Sequence, residues 1–362
     1  MIRFILPLVA GLPLQAATPQ TPDHDYWVYV AAESADLMHV VRFGPSGAAV
    51  EKTIPVGELP IETEGPHGLR ISPDGEVLYM TTGHGIPDGK MWKWKTGADT
   101  LLADPILLGY FPATLDVTPD GLYAFVANFN LHGERVPSSV SVVYTPSMME
   151  VAQTETCTMP HGGRLHPDGD RLYSACMMDD QVVEIDTRSF EVTRRFSVSL
   201  EHPTPMSSAP ATGPPTCSPT WAAPAPDGQH VYVACNAGDE ILELSSDRWE
   251  LVRRFKTGRG PYNLDVTPDG TTLVATLKQG AGIEFFDLSA GKSRGQIEAS
   301  TTVTHGVVIS PDSRYAFVSV EGVGAEPGKV DVIDLSLLQR VASVEVAQQA
   351  GGIAFWKMES AH

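Results

Sequence analysis

Several common catalytic signatures are missing from this 362-residue chain. It has no Gly-x-Ser-x-Gly elbow, no complete Gly-x-x-x-x-Gly-Lys-Ser/Thr phosphate loop (Gly291-Lys292-Ser293 lacks the first Gly, position 286 being Phe), no Cys-x-x-Cys-His haem attachment and no His-Glu-x-x-His pair. Nucleophilic hydrolysis through a serine elbow and nucleotide chemistry therefore have no support in the sequence. Basic residues are also scarce. Lys and Arg number 25 against 44 Asp and Glu, a net charge of −19 with a pI near 4.9. A nucleic-acid partner demands a basic footprint that this chain does not have, and an anionic membrane surface is disfavoured for the same reason. The acidic coat reads as a solubility device. Beyond the N-terminus no apolar run is long enough to span a bilayer. Cysteines are few, four in all, and none falls in a Cys-x-x-Cys spacing.

What is present begins with a leader. Arg3 supplies a positive start, Phe4 to Leu14 an apolar stretch, and Leu14-Gln15-Ala16-Ala17 a small-residue cleavage site, the three parts of a secretory signal over residues 1–17. The mature chain, 18–362, is expected to be one exported domain, periplasmic or secreted. Four cysteines in such a compartment default to disulfides. The 29 Pro and 33 Gly announce many turns.

The turns recur. Pro-Asp pairs stand at Pro73-Asp74, Pro119-Asp120, Pro167-Asp168, Pro226-Asp227, Pro268-Asp269 and Pro311-Asp312, separated by 42 (Pro226 to Pro268) to 59 residues (Pro167 to Pro226). That is the size of one four-stranded propeller blade. A short apolar segment precedes each turn and a β-rich run follows it, as in Tyr123-Ala124-Phe125-Val126 and Tyr315-Ala316-Phe317-Val318. The segment from Tyr26 to Val56 supplies the back three strands of a blade that lacks its first, and Ala350 to Phe355 supplies a first strand with nothing after it. Joined, they make a seventh blade and leave no open sheet edge. The expected fold is an all-β, seven-bladed propeller of four-stranded blades, closed by pairing of its N- and C-terminal strands.

The pattern Pro-Asp-Gly, then Tyr-Val-x-Asn, then Val-x-Val-Ile-Asp resembles the YVTN family of seven-bladed propellers, which includes lactonase-like and surface-layer-like repeat proteins. It is matched best by Pro119 to Val143 and Pro311 to Asp334. The resemblance covers nearly all of the mature chain. It implies the fold and leaves function open, because such propellers serve as enzymes, cofactor scaffolds and binding platforms.

Strand alternation puts the Pro-Asp turns on one face, the bottom, and the start of each first strand on the other, the top. The position six before each turn Pro, at the top mouth of the channel, reads His67, Ala113, His161, Thr220, Tyr262, His305 and Gly351 around the ring. Three histidines in register, each followed by Gly, are the minimum set for a three-His metal site with open positions. The glycines are expected to leave room beside the imidazoles. Copper or iron is the favoured ion, and another divalent metal also fits. Glu321 and Glu33, ten residues past the turn position, are candidate ligands or proton-transfer groups. His84 and His132 are placed at the rim and His166 beside a bottom turn. Trp221, Tyr262 and Asn263 could wall a ligand pocket at the top. Arg70 and Arg164, at the third position before the turn, either join Asp116 and Asp265 in an Arg–Asp girdle or hold an anionic substrate. The intrablade bridges Cys157–Cys176 and Cys217–Cys235 are the simplest of the three connectivities that four cysteines permit.

The leading expectation is a metal-dependent oxidoreductase or lyase acting on a small molecule. In arrangement it is similar to methanethiol oxidases and metal-dependent propeller lyases. The alternatives are a propeller lactonase and a non-catalytic scaffold that binds a protein, peptide or glycan. No feature of the sequence speaks to oligomeric state.

Overall fold

The Pro-Asp-Gly copies are tight turns whose geometry follows from their side chains. In four of them a Ser or Thr precedes the Pro, and its hydroxyl donates to the turn Asp: Ser72 to Asp74, Thr118 to Asp120, Thr267 to Asp269 and Ser310 to Asp312, at 2.5–2.6 Å. The same hydroxyl accepts the amide five residues on, as in Tyr123 N to Thr118 Oγ1 at 3.0 Å. The turn is thereby closed twice. At Gly121 the backbone has φ +73°, a conformation that glycine adopts without a Cβ penalty.

A computed structural model of the chain describes residues 20–58, 61–84, 89–206 and 214–361. The proposed leader falls within 1–19, outside the described residues. Seven antiparallel sheets stand around a ring. The first blade runs Pro66–Ile71, Val77–Thr82, Lys90–Lys95 and Thr100–Leu107, and blades two to six repeat that order. The seventh pairs the C-terminal strand Ala350–Ser360 with His24–Ala32, then Leu37–Gly44 and Gly47–Pro55. The expected closure is therefore the observed one. Blade three departs from the pattern. Thr204–Met206, from the long insertion after its fourth strand, adds a fifth strand against Val192–Ser197.

Blade-to-blade packing is apolar, and alternating strand residues supply it. Between blades six and seven, Tyr26, Phe43, Tyr315 and Phe317 form one cluster. Between blades seven and one, Tyr29, Met38, Leu78, Met80 and Trp92 form another. Burying such side chains contributes about 1.5–3 kcal/mol each, so each seam is stabilised by its own small core. Both expected disulfides are formed, Cys157–Cys176 and Cys217–Cys235. The first is not intrablade, since Cys157 lies at the end of the fourth strand of blade two, Met149–Thr158, and Cys176 ends the second strand of blade three, Arg171–Cys176. They staple the entry of blades three and four to the end of the second strand.

The first strands line the channel, and hydroxyls from first or second strands brace them to the next blade. Thr276 donates to the His305 carbonyl at 2.8 Å, Thr114 to that of His161 and Ser319 to that of Gly351. This bracing corrects one expectation about the Gly that follows each His. A Cβ on Gly162 would lie 2.1 Å from Trp221 and 2.4 Å from the Thr220 carbonyl, and one on Gly68 2.6 Å from the Ala113 carbonyl. The space is taken by the neighbouring blade, so these glycines serve close strand approach and leave no room beside the imidazoles.

Candidate functional site at the top mouth of the channel

A seven-fold backbone device builds the mouth. Two residues before each channel position the chain turns left-handed, at Gly65, Phe111, Met159, Ser218, Gly260, Val303 and Gln349, with φ between 47° and 66°. The carbonyl of each accepts the amide of the residue ten past the turn Pro, or its equivalent in blade seven. The donors are Gly83, Phe129, Met177, Asn236, Lys278, Glu321 and Glu33, at 2.8–3.3 Å. Five of the seven left-handed positions are not glycine, so the conformation is enforced by this bonding against a modest steric cost. The result is a second ring of side chains held above the first.

That second ring is chemically lopsided. Blades five, six and seven contribute Lys278, Glu321 and Glu33, whereas blades two and three contribute Phe129 and Met177. Phe129 packs with Phe111 and Ala113 in a small apolar cluster that Met159 and Met177 flank. The charged arc stands over the histidines. Lys278 Nζ lies 3.0 Å from Glu321 Oε1 and 4.2 Å from the centre of the Tyr262 ring. Glu321 is 3.8 Å from His305 Nε2, and Glu33 is 4.0 Å from His67 Nε2. Tyr262 Oη sits 3.0 Å from His161 Nε2.

His67 lies beside both other mouth histidines, but the three do not form a compact ligand group. Ring centres are 5.5 Å apart for His67 and His305 and 6.3 Å for His67 and His161. All three side chains are buried. Nδ1 of His67 donates to the Ala113 carbonyl at 2.8 Å and Nδ1 of His161 to that of Thr220 at 2.9 Å. Each acceptor occupies the same repeat position in the next blade. His305 Nδ1 faces Gly351 in the same way but is left without a hydrogen bond, since the Ser319 hydroxyl already holds that carbonyl. Tying Nδ1 down turns Nε2 toward the axis, the presentation that metal-binding histidines use.

Electrostatics follow from burial. Burial pushes His161 down to about 3, with repulsion from His67 adding to it. Burial and then the Lys278 ammonium put His305 well below its ordinary range. Both imidazoles are neutral near pH 7. Burial raises Glu321 despite Lys278 beside it. Burial would raise Glu33 too, but His67, His84 and Lys278 together hold it below the usual carboxylate range. Burial by itself would lower Lys278, and Tyr262 and the two carboxylates reverse that. Two carboxylates with their affinities for protons pushed apart, beside an ammonium and neutral imidazoles, form an acid–base centre.

Other candidates fall elsewhere. Of the proposed pocket wall, only Tyr262 belongs to the mouth. Trp221 and Asn263 lie beneath the histidines and line a void of 20 Å³ with His67, His305 and Arg164, room for about one water. The cause is local, because the bare backbone of Gly162 draws the Trp221 indole inward. Arg70 pairs with Asp116 at 2.7 Å, as a girdle requires. Arg164 instead stacks on Trp221, 4.6 Å from the ring centre. His84, expected at the rim, reaches inward and bonds Glu33, with exposed His132 3.4 Å behind it. Burial and exposure therefore differ between these two rim histidines.

The one compact three-ligand group among the described residues is on the opposite face, His166, Asp168 and Asp170. Arg171 already bonds Asp170 at 2.9 Å and approaches Asp168 at 3.6 Å. Sequence reasoning missed Lys278 altogether. It occupies the same register as Glu321, ten past the turn Pro, but a lone lysine there carries no signal by itself.

No protein-family model matches this sequence, and no curated protein matches it. Solved structures share its fold. The periplasmic gluconolactonase PpgL of Pseudomonas aeruginosa aligns over 92% of this chain and 99% of its own, at 18% identity and a TM-score of 0.72. A 6-phosphogluconolactonase-like protein of Bacteroides uniformis aligns over the same shares at 15% identity and a TM-score of 0.67. Hydrazine synthase of Kuenenia stuttgartiensis aligns over 82% of this chain and 93% of its own, at 18% identity and a TM-score of 0.64. Two disulfides are the pattern of proteins that fold in an oxidising compartment. In fold, the chain is a seven-bladed β-propeller.

Proposed function

We propose that the top mouth hydrolyses a small cyclic ester, a lactone, in the periplasm. The observation that carries this reading is the placement of Glu321, raised by burial, 3.0 Å from Lys278 and 3.8 Å from the Nε2 of neutral His305. A carboxylate with raised proton affinity is suited to take a proton from attacking water. The water oxygen bonds the carbonyl carbon, and negative charge collects on the former carbonyl oxygen. The Lys278 ammonium is positioned to stabilise that charge. The ring C–O bond then breaks, and the leaving alkoxide takes back the proton held by Glu321. Lactone and water are consumed and a hydroxy acid is released. The two lactonase-like structural neighbours favour the same reading, as fold-level analogy only.

The test is a pH-stat assay of the purified mature protein on glucono-δ-lactone and on alkyl-substituted γ- and δ-lactones. Glu321→Gln should lower kcat/KM by roughly a hundredfold or more. Absence of turnover on every lactone, or full activity in Glu321→Gln, removes the proposal.

A second reading is a metal centre, favoured by the Nδ1 anchoring of His67 and His161. The donor set fits a divalent or redox ion such as copper or iron. His67, His161 and His305 would hold it, with Glu33 or Glu321 as a carboxylate ligand. A bound ion would polarise a substrate carbonyl. Lys278 places a resident cation beside both carboxylates and competes with the ion for them. Metal analysis decides this point: about one ion per chain, lost in His67→Ala, supports the centre. The geometry lends no support to the leading expectation from the sequence, a metal-dependent oxidoreductase or lyase.

A further inference from the structure

The opposite end of the channel carries a second set of charges that the top mouth does not use. Arg70, Asp116, Arg164 and Asp265 project from the first strands of blades one, two, three and five. Two of them are fully engaged as carboxylates. Asp116 accepts the amides of Val117 and Leu165, each at 2.9 Å, and also pairs with Arg70. Asp265 accepts the amides of Val266 and Ile309 at 3.0 Å. Both acids thus tie their own blade to a neighbouring first strand, a structural task.

Arg164 is different. Its hydrogen bond among the described residues goes to the adjacent Gly163 carbonyl, at 2.9 Å, and no carboxylate of the described residues forms an ion pair with it within 4.0 Å. A guanidinium has five N–H donors in a planar fork, so most of this fork is unused. Its underside rests on Trp221, which sets its plane. Arg164 also lines two cavities of about 310 and 210 Å³ at the lower end of the channel, and Arg70 and Asp265 line both with it. Turn residues Ser72, Pro73 and Pro167 form their outer walls, so the cavities open on the bottom face. Burial, joined by repulsion from Arg70, pushes Arg164 down to about 10, with Asp116 and Asp265 acting the other way, and it stays cationic at neutral pH. The two acids offset part of the charge, but neither is in ion-pair range of Arg164, so most of its N–H fork is left free to face the cavities.

We propose that the lower end of the channel binds a small oxyanion, a carboxylate or phosphate group, between the Arg164 fork and Arg70. The fork matches two oxygens of such a group, and the girdle acids are too committed to backbone amides to compete for it. The site is separate from the top mouth and does not depend on what the mouth does.

Calorimetric titration of the full mature chain with inorganic phosphate, and in parallel with acetate, tests this at low ionic strength. Saturable binding of at least one anion is expected, weakened roughly tenfold or more in Arg70→Met and Arg164→Met. It should be unchanged in Lys278→Met, a top-mouth variant. Because Arg164→Met could disturb Trp221, Arg164→Lys serves as the second variant. It keeps the charge but loses the fork, and weaker binding is again expected. Phosphate tighter than acetate identifies a tetrahedral ligand and the reverse order a carboxylate, and either supports the site. No binding of either anion, or equal binding in wild type, Arg70→Met and Arg164→Lys, overturns it.

Discussion

Replacing Lys278 by Met removes one positive charge from the top ring and keeps much of the side-chain volume. In the native protein its ammonium lies 3.0 Å from Glu321, with side-chain exposures of 31% and 14%, and it also acts on Glu33. Breaking a fully buried pair costs about 3–5 kcal/mol, because the surviving charge is left uncompensated. Partial exposure of Lys278 reduces this to roughly 2–3 kcal/mol at pH 8. With an unfolding entropy of about 2.1 cal/mol/K per residue over roughly 340 residues, the melting temperature should fall by about 3–4 °C. The pH dependence gives the sign. Glu33 is held below its ordinary value, so its ionised form contributes stability above the unfolded pKa, lost as pH falls through the folded pKa. Glu321 is raised, so protonation on acidification relieves the folded state. Without Lys278 both carboxyls take protons more readily, so the penalty should shrink to under about 1 kcal/mol at pH 5. Calorimetric melts of wild type and Lys278→Met at pH 5 and pH 8 provide the measurement. A loss of equal size at both pH values, or no loss at pH 8, would refute the placement of Lys278 among buried carboxylates.

Other expectations are simpler to check. Each disulfide closes a loop of 18 or 19 residues, so replacing Cys157 and Cys176 together by Ala should cost about 3 kcal/mol in chemical denaturation. The cost for Cys217 and Cys235 should be similar. Gly121→Ala meets no atom within 4 Å and should cost only the left-handed penalty of about 1 kcal/mol. Gly65→Ala would put a Cβ 2.2 Å from His84, so it should cost clearly more and detach His84 from Glu33, visible in the His84 imidazole shifts. Nuclear magnetic resonance of the imidazole nitrogens should find His161 and His305 neutral down to pH 5. A midpoint near 6.5 for either would contradict their burial.

Much of the architecture was legible because the repeat is carried by local chemistry. A Pro-Asp turn, bonded within itself by a preceding Ser or Thr in four of its copies, is announced by its residues wherever it occurs, and six copies with two complementary ends count seven blades. The disulfides were legible for the same reason: Cys176 and Cys235 share a register, and their partners precede the strand antiparallel to them. The placement of His67, His161 and His305 at the mouth followed from register as well. Lys278 shares a register with Glu321 and Glu33, yet an isolated lysine carries no signal until the ring around it is assembled. The extra strand Thr204–Met206 had none either, since its pairing depends on an exposed edge that only the packed blade presents.

Position along the repeat thus determined, from sequence, which blade a residue belongs to and how high it sits in the channel. Which way its side chain turns at that height was decided by tertiary structure. Trp221 and Tyr262 occupy successive repeat positions, five and six before the turn Pro, in neighbouring blades. The bare backbone of Gly162 draws Trp221 down beneath the histidines, whereas Lys278 and His161 hold Tyr262 at the mouth. Arg70 and Arg164 share a register, and Asp116 lies in ion-pair range of the first only. The difference is physical: backbone register is set within one blade by local hydrogen bonds, whereas side-chain direction, burial and charge pairing are set by contacts between blades.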